Sequence, residues 1–138
     1  MREILFRGKR TDNGEWVEGY YYKAKYCRTD DELCDYITVP YIEQCNLPNS
    51  HYIVNPETVG QYTGLKDKNG TKIFEGDIVK RFWFDIMCIY QIDYNNVLAS
   101  FVGRAGMNFT AFYCDSEEFE VVGNIYDNKL EDFNNGTC

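Results

Sequence analysis

No stretch of this chain approaches the about 18 consecutive apolar residues of a membrane-spanning helix. Near its start only Ile4-Leu5-Phe6 are apolar in a row, too few for the core of a signal peptide. The expected location is therefore the cytoplasm, where the six cysteines would be reduced thiols. A basic excess is missing too. Against 22 Asp and Glu stand 14 Lys and Arg, for a net charge of −8, and binding a phosphate backbone requires the reverse balance. Nucleic acid is thus a disfavoured partner and a membrane is not expected to be one.

Chemistry-bearing residues are equally sparse. His51 is the one histidine. It could act as a base near neutral pH, but no nucleophile or orienting carboxylate is placed beside it by sequence, and next to Tyr52 and Ile53 it reads as a strand residue. No Cys-x-x-Cys pair is present. Cys27, Cys34 and Cys45 are spaced by seven and eleven residues, with His51 six further on, looser than the paired ligands of a zinc site. Cys88 and Cys114 sit in apolar runs and read as small core residues. Gly60, Gly64, Gly70 and Gly76 are not followed by the helix and Lys-Ser/Thr pair of a phosphate loop, so they read as turn residues. No cofactor or metal is expected.

What the chain does have is aromatic mass: 17% aromatic residues, with twelve Tyr and nine Phe. Such residues pack well on pleated surfaces. Ile4 and Phe6 alternate with charged neighbours, Asn13-Gly14 marks a tight turn, and Trp16, Val17, Tyr20 and Tyr22 resume the pattern, which predicts a β-hairpin. Gly19 inside the second run marks a bulge or a close backbone approach. Thr29 with Glu32 three residues on has the form of a helix capping box, with no apolar period after it. Ile37-Thr38-Val39 predicts a short strand stopped by Pro40, and His51 to Val54 another, ended by Asn55-Pro56.

From residue 57 onward the strands are short and divided by Gly and Asn turns. Asn69-Gly70 predicts a hairpin tip, and Gly76 a turn with positive φ. Ile78 to Phe84 predicts a strand in which Phe82 and Phe84 share one face and Trp83 takes the other. Met87 to Tyr94 and Val97 to Val102 predict two strands joined by a two-residue turn at Asn95-Asn96. Phe119 to Tyr126 predicts a last strand bent at Gly123. The fold class is all-β: a small SH3-like barrel in the C-terminal half, closed or half-closed, with an N-terminal β-hairpin subdomain. The expected divisions are 1–56, 57–128 and a flexible tail over 129–138.

Several segments together carry a family resemblance. They are Ile4-Leu5-Phe6-Arg7-Gly8-Lys9-Arg10, Gly14-Glu15-Trp16-Val17-Glu18-Gly19-Tyr20, Val54-Asn55-Pro56-Glu57-Thr58-Val59-Gly60-Gln61-Tyr62-Thr63-Gly64-Leu65, Ile73-Phe74-Glu75-Gly76-Asp77-Ile78-Val79 and Val121-Val122-Gly123-Asn124-Ile125-Tyr126-Asp127-Asn128. In this order they resemble the YopX family of bacteriophage and prophage proteins. That resemblance implies an SH3-type architecture in the C-terminal half, a bacterial host, and no established biochemical role.

The expected function is that of a non-enzymatic phage accessory protein, a binding module for a host or phage macromolecule, with homo-oligomerisation as a further expectation. The candidate binding residues are Lys80, Arg81, Trp83 and Tyr62, because single strands and extended peptides are held by aromatics interleaved with charge. Two alternatives remain. Asp67, Glu75 and Asp77 could serve a metal-assisted hydrolase, although turn aspartates commonly bond their own backbone. The acidic surface could also mimic DNA and occupy a host DNA-binding protein.

Overall fold

The N-terminal hairpin forms around the predicted Asn-Gly turn. In the computed structural model, which describes residues 3–27, 35–106, 108–111 and 118–133, strand β1 (Phe6–Lys9) pairs antiparallel with β2 (Trp16–Cys27). The connection closes through Arg10 N–H donating to Glu15 O at 2.9 Å and Gly14 N–H to Arg10 O at 3.0 Å, with Gly14 at φ +72°. The Asn13 side-chain oxygen accepts from Glu15 N–H at 2.9 Å. The capping box at Thr29 and Glu32, together with Cys34, Cys114 and Cys138, lies outside the described residues.

The chain divides into two compact units, Ile4–Gln61 and Tyr62–Cys138, the latter joined by Met1–Glu3. In the first, β2 pairs with β3 (Tyr36–Glu43), and β3 pairs with β4 (His51–Ile53). On the other side of β1, the opening residues of β5 (Gly60–Lys66) pair as Phe6↔Gln61 and Arg7↔Gly60. Pro40 does not stop β3, as the sequence suggests it should. Its carbonyl accepts from Val54 N–H at 3.2 Å on the side where β4 has ended, so the N–H that proline lacks is needed least there. Arg10 bridges Val54, and Asn55 N–H donates to Lys9 O at 2.8 Å, returning the chain to the end of β1.

Val17, Ile42 and Val54 are the buried core of this unit, with Tyr21, Tyr52 and Val59 packed on it. The Asn55-Pro56-Glu57-Thr58 segment is a short 3-10 helix over Pro56–Thr58. Its Asn55 side chain caps Glu57 N–H at 3.1 Å, the N-terminal role asparagine favours, and Thr58 Oγ1 accepts from Lys9 N–H at 2.9 Å. The signature residues of this stretch thus fasten the helix to β1.

In the second unit β5 forms a hairpin with β6 (Lys72–Phe74). A five-stranded antiparallel sheet follows, in the order β10-β9-β8-β7-β11, from β7 (Asp77–Trp83), β8 (Ile86–Asn95), β9 (Ser100–Ala105), β10 (Asn108–Ala111) and β11 (Glu120–Asn124). The chain is all-β in its layers, and the sheets do not close into a barrel. β10 and β11 are the edges of the five-stranded sheet, because successive hairpins lay down β7 to β10 and β11 then returns to pair with β7. The β8–β9 turn is longer than two residues. Asn95 pairs with Ser100, and its side-chain oxygen accepts from Val97 and Leu98 N–H, both at 3.0 Å.

Phe119 and Ile73 are fully buried with Val79, Cys88, Tyr90 and Ile92, and form this unit's core. β11 carries a bulge: Val121 faces Val79 and Gly123 faces Ile78, leaving Val122 extra. After it, Asn124 Oδ1 accepts from Tyr126 N–H at 3.0 Å and Asp127 N–H at 2.9 Å. Leu130–Phe133 is a short 3-10 helix.

Candidate functional site

The two most buried carboxylates of the central stretch are committed to backbone. Asp67 stands at the start of the β5–β6 tip and is buried. Its Oδ1 accepts from Asn69 N–H and Thr71 N–H, both at 2.9 Å, and its Oδ2 from Val121 N–H at 3.0 Å. It therefore shapes the tip and ties it to β11, reinforced by Lys68 N–H donating to Phe119 O at 3.1 Å. Asp77 is 1% exposed and accepts from Phe74 N–H at 2.8 Å across the Glu75-Gly76 turn. Gly76 takes the predicted positive φ, +91°, and bridges two strands: its N–H donates to Ile92 O at 2.7 Å and its carbonyl accepts from Ile125 N–H at 2.9 Å.

Glu75 differs from both. Burial pushes its pKa up, and the neighbouring Asp93 adds to the shift. Asp93 itself accepts from Arg104 Nε at 2.7 Å and Gln91 Nε2 at 2.9 Å. Among the described residues no three His, Cys, Asp or Glu side chains form a metal-binding group.

The four candidate binding residues do not form one surface. Pleat alternation puts Arg81 on the same face of β7 as Val79, so it turns inward. It is 7% exposed, with its guanidinium 5.0 Å from the Phe119 ring centre and 5.6 Å from that of Tyr90, a cation-π arrangement. Tyr62 is likewise a core residue, 4% exposed, with its ring 5.5 Å from Phe74. Lys80 points the other way and shares Glu120 with Lys68, each Nζ 3.3 Å from the carboxylate. Those two lysines hold the Glu120 pKa below its ordinary value, chiefly through the Lys80 hydrogen bond. The side chain of Trp83 lies outside the described residues. Of the four candidate binding residues, Arg81 and Tyr62 are thus buried.

The surface that does emerge is the tip of the β7–β8 hairpin. Trp83 pairs with Ile86, so the strand ends one residue earlier than expected and Phe84-Asp85 forms the turn. Both turn residues have positive φ, +49° and +64°, the pattern of a type I′ turn. That backbone is normally supplied by Asn or Gly, and a bulky residue there is unusual. Phe84 is 84% exposed, with Phe82 at 61% and Ile86 at 51%. Asp85 tolerates such a backbone and Phe84 does not, which is why the sequence places Phe84 in the strand instead of the turn.

The cysteines also depart from expectation. Cys27 and Cys88 are disulfide-bonded, and Cys45 is a free, exposed thiol. A disulfide sulfur is not the thiolate that ligates zinc, so Cys27 drops out of the loose Cys/His set. His51 is exposed on β4, with its ring edge against Tyr41 at 5.6 Å. No helix among the described residues is long and apolar enough to cross a membrane.

Among curated proteins no relative matches the chain. The profile described as YopX protein matches residues 5–131. That span takes in both units and every signature segment from the β1 strand to the Asn124 turn, and the chain belongs to the YopX family.

Proposed function

We propose that this protein is a non-enzymatic phage or prophage accessory protein that binds a host or phage protein through the apolar tip of the β7–β8 hairpin. The observation that carries the proposal is the exposure of Phe82, Phe84 and Ile86 on a turn whose backbone a phenylalanine does not favour. Large apolar side chains exposed together, at a turn whose backbone Asn or Gly adopts more readily, are the mark of an interaction surface. Aromatic anchors of this kind are the residues that dominate protein interfaces. The commitment of Asp67 and Asp77 to backbone amides supports a binding role over a hydrolytic one. Within this reading the protein acts without a cofactor, and a homo-oligomer is compatible with it.

The test compares capture of host and phage proteins by the wild type and by the F82S/F84S double variant, followed by anisotropy with each identified partner in purified form. A partner that binds the wild type and loses at least tenfold in affinity for the double variant supports the proposal. Equal binding by both proteins overturns it, as does turnover of a small substrate with no partner bound. Salt-sensitive capture of a basic protein that survives both substitutions also overturns it, in favour of an acidic DNA-mimicking surface.

A further inference from the structure

The N-terminal unit carries a second aromatic surface that the hairpin tip does not use. Pleat alternation puts Tyr20, Tyr22 and Tyr26 on one face of β2. The register sets Tyr22 opposite Tyr41 and Tyr20 opposite Glu43, while β4 brings His51 beside Glu43. The buried residues Ile42 and Val17 belong to the opposite face, so this one looks away from the core.

Tyr41 is its floor. It is only 9% exposed, with Tyr22 stacked on it at 5.5 Å and an interplanar angle of 18°. Tyr26 and His51 meet it edge-on at 6.1 Å and 5.6 Å. Tyr22 lies nearly parallel to Tyr41 and Tyr26 stands at 60° to it, and the two remain 38% and 47% exposed. Exposed tyrosine rings set at differing angles over a half-hidden one fit the ridge of a polyproline II helix, whose rings pack against aromatic planes and whose carbonyls are unpaired and can accept from tyrosine hydroxyls. Such a ligand is already extended, so little conformational entropy is lost on binding.

Charge narrows the ligand further. Glu43 lies close enough to Tyr22 to help raise its pKa, second to burial, and the chain carries −8 overall. Tyrosines can also stack nucleic-acid bases, but that mode needs cations along the same face. Here the face holds Glu43, and Lys23 and Lys25 occupy the alternate positions of β2 that point to the other side.

We propose that the Tyr22, Tyr26 and Tyr41 trough binds a proline-rich segment carrying an arginine or lysine beside its prolines, with Glu43 receiving the cation. This proposal stands independently of the hairpin tip, which lies in the other unit.

The experiment is an amide-detected NMR titration of the full chain with a short synthetic proline-rich peptide ending in arginine, and with the same peptide ending in alanine. Saturable shifts confined to β2, β3 and β4 are expected. Tyr22→Ala and, separately, Tyr26→Ser should each weaken binding about tenfold. Glu43→Gln should weaken the arginine peptide and leave the alanine peptide unchanged. These positions are exposed or half-buried, and retained amide dispersion verifies that each variant folds. The proposal is overturned by absence of shifts, by shifts mapping elsewhere, by equal loss of both peptides in Glu43→Gln, or by an oligothymidylate saturating the same amides when the peptides do not.

Discussion

Gly19 of β2 lies against the backbone of Glu43 in β3, so that a Cβ at position 19 would come within 1.9 Å of the Glu43 carbonyl oxygen. Two strands cross there at a separation only glycine allows. Gly19→Ala should destabilise the protein by about 3 kcal/mol, the upper range of overpacking, because backbone cannot turn aside as a side chain can. Gly14→Ala is the control: its Cβ would meet open space, and the cost is that of a positive φ alone, about 1 kcal/mol. Urea unfolding followed by circular dichroism gives both numbers.

Asp67→Asn should cost about 2 kcal/mol, because an amide nitrogen in place of one carboxylate oxygen leaves a backbone donor facing a donor. Chelation with EDTA should leave the unfolding midpoint of the wild type unchanged, since the carboxylate oxygens are occupied by Asn69, Thr71 and Val121 amides. A midpoint that falls on chelation would make Asp67 a metal ligand after all.

Phe84→Asn should stabilise the β7–β8 hairpin by about 1 kcal/mol, because asparagine tolerates the left-handed backbone better than phenylalanine. The same substitution should weaken partner binding. Thermal melts read the first effect and anisotropy with the identified partner the second. A variant less stable than wild type would show that the phenylalanine ring stabilises the monomer.

Tyr41 should be among the last tyrosines to ionise. Its hydroxyl hydrogen-bonds to Tyr26 and is shielded by burial, which together push its pKa from 10.0 up to about 12. A raised acid pKa means that the folded state holds the proton longer than the unfolded chain does. Its contribution is therefore intact below pH 10 and declines between 10 and 12. Tyr26→Phe should bring Tyr41 ionisation in the folded protein to lower pH and make that decline smaller, as read by phenolate absorbance during a base titration alongside urea midpoints.

Glu120 has the opposite sign. Hydrogen bonds from Lys80 and Lys68 lower its pKa from 4.5, so its stabilisation is present above that value and is lost as pH falls through the folded one. Glu120→Gln should flatten the acid limb of the stability profile and leave the alkaline limb alone. Because the group is only half-buried, added salt should produce part of the same flattening in the wild type. An acid limb unchanged in the variant would count against the two-lysine arrangement.

The sequence by itself determined the all-β class, the Asn13-Gly14 hairpin, the positive φ of Gly76 and membership of the YopX family, and it marked Gly19 as either a bulge or a close approach, which the structure resolves as the latter. Each rests on local physics: glycine and asparagine reach backbone conformations that other residues resist, and alternation reports a pleat whatever lies beyond it. Three other features were decided only in the folded chain. Arg81 reads as a surface cation beside Lys80, but the pleat turns it onto the Phe119 and Tyr90 rings. The Phe84-Asp85 turn carries no Gly or Asn, and is fixed by Trp83 and Ile86 being held as a pair by their strands. The tyrosine trough depends on a register between β2, β3 and β4. A shift of one residue would send Tyr22 and Tyr41 to opposite sides, and nothing local in either strand fixes which residues face each other.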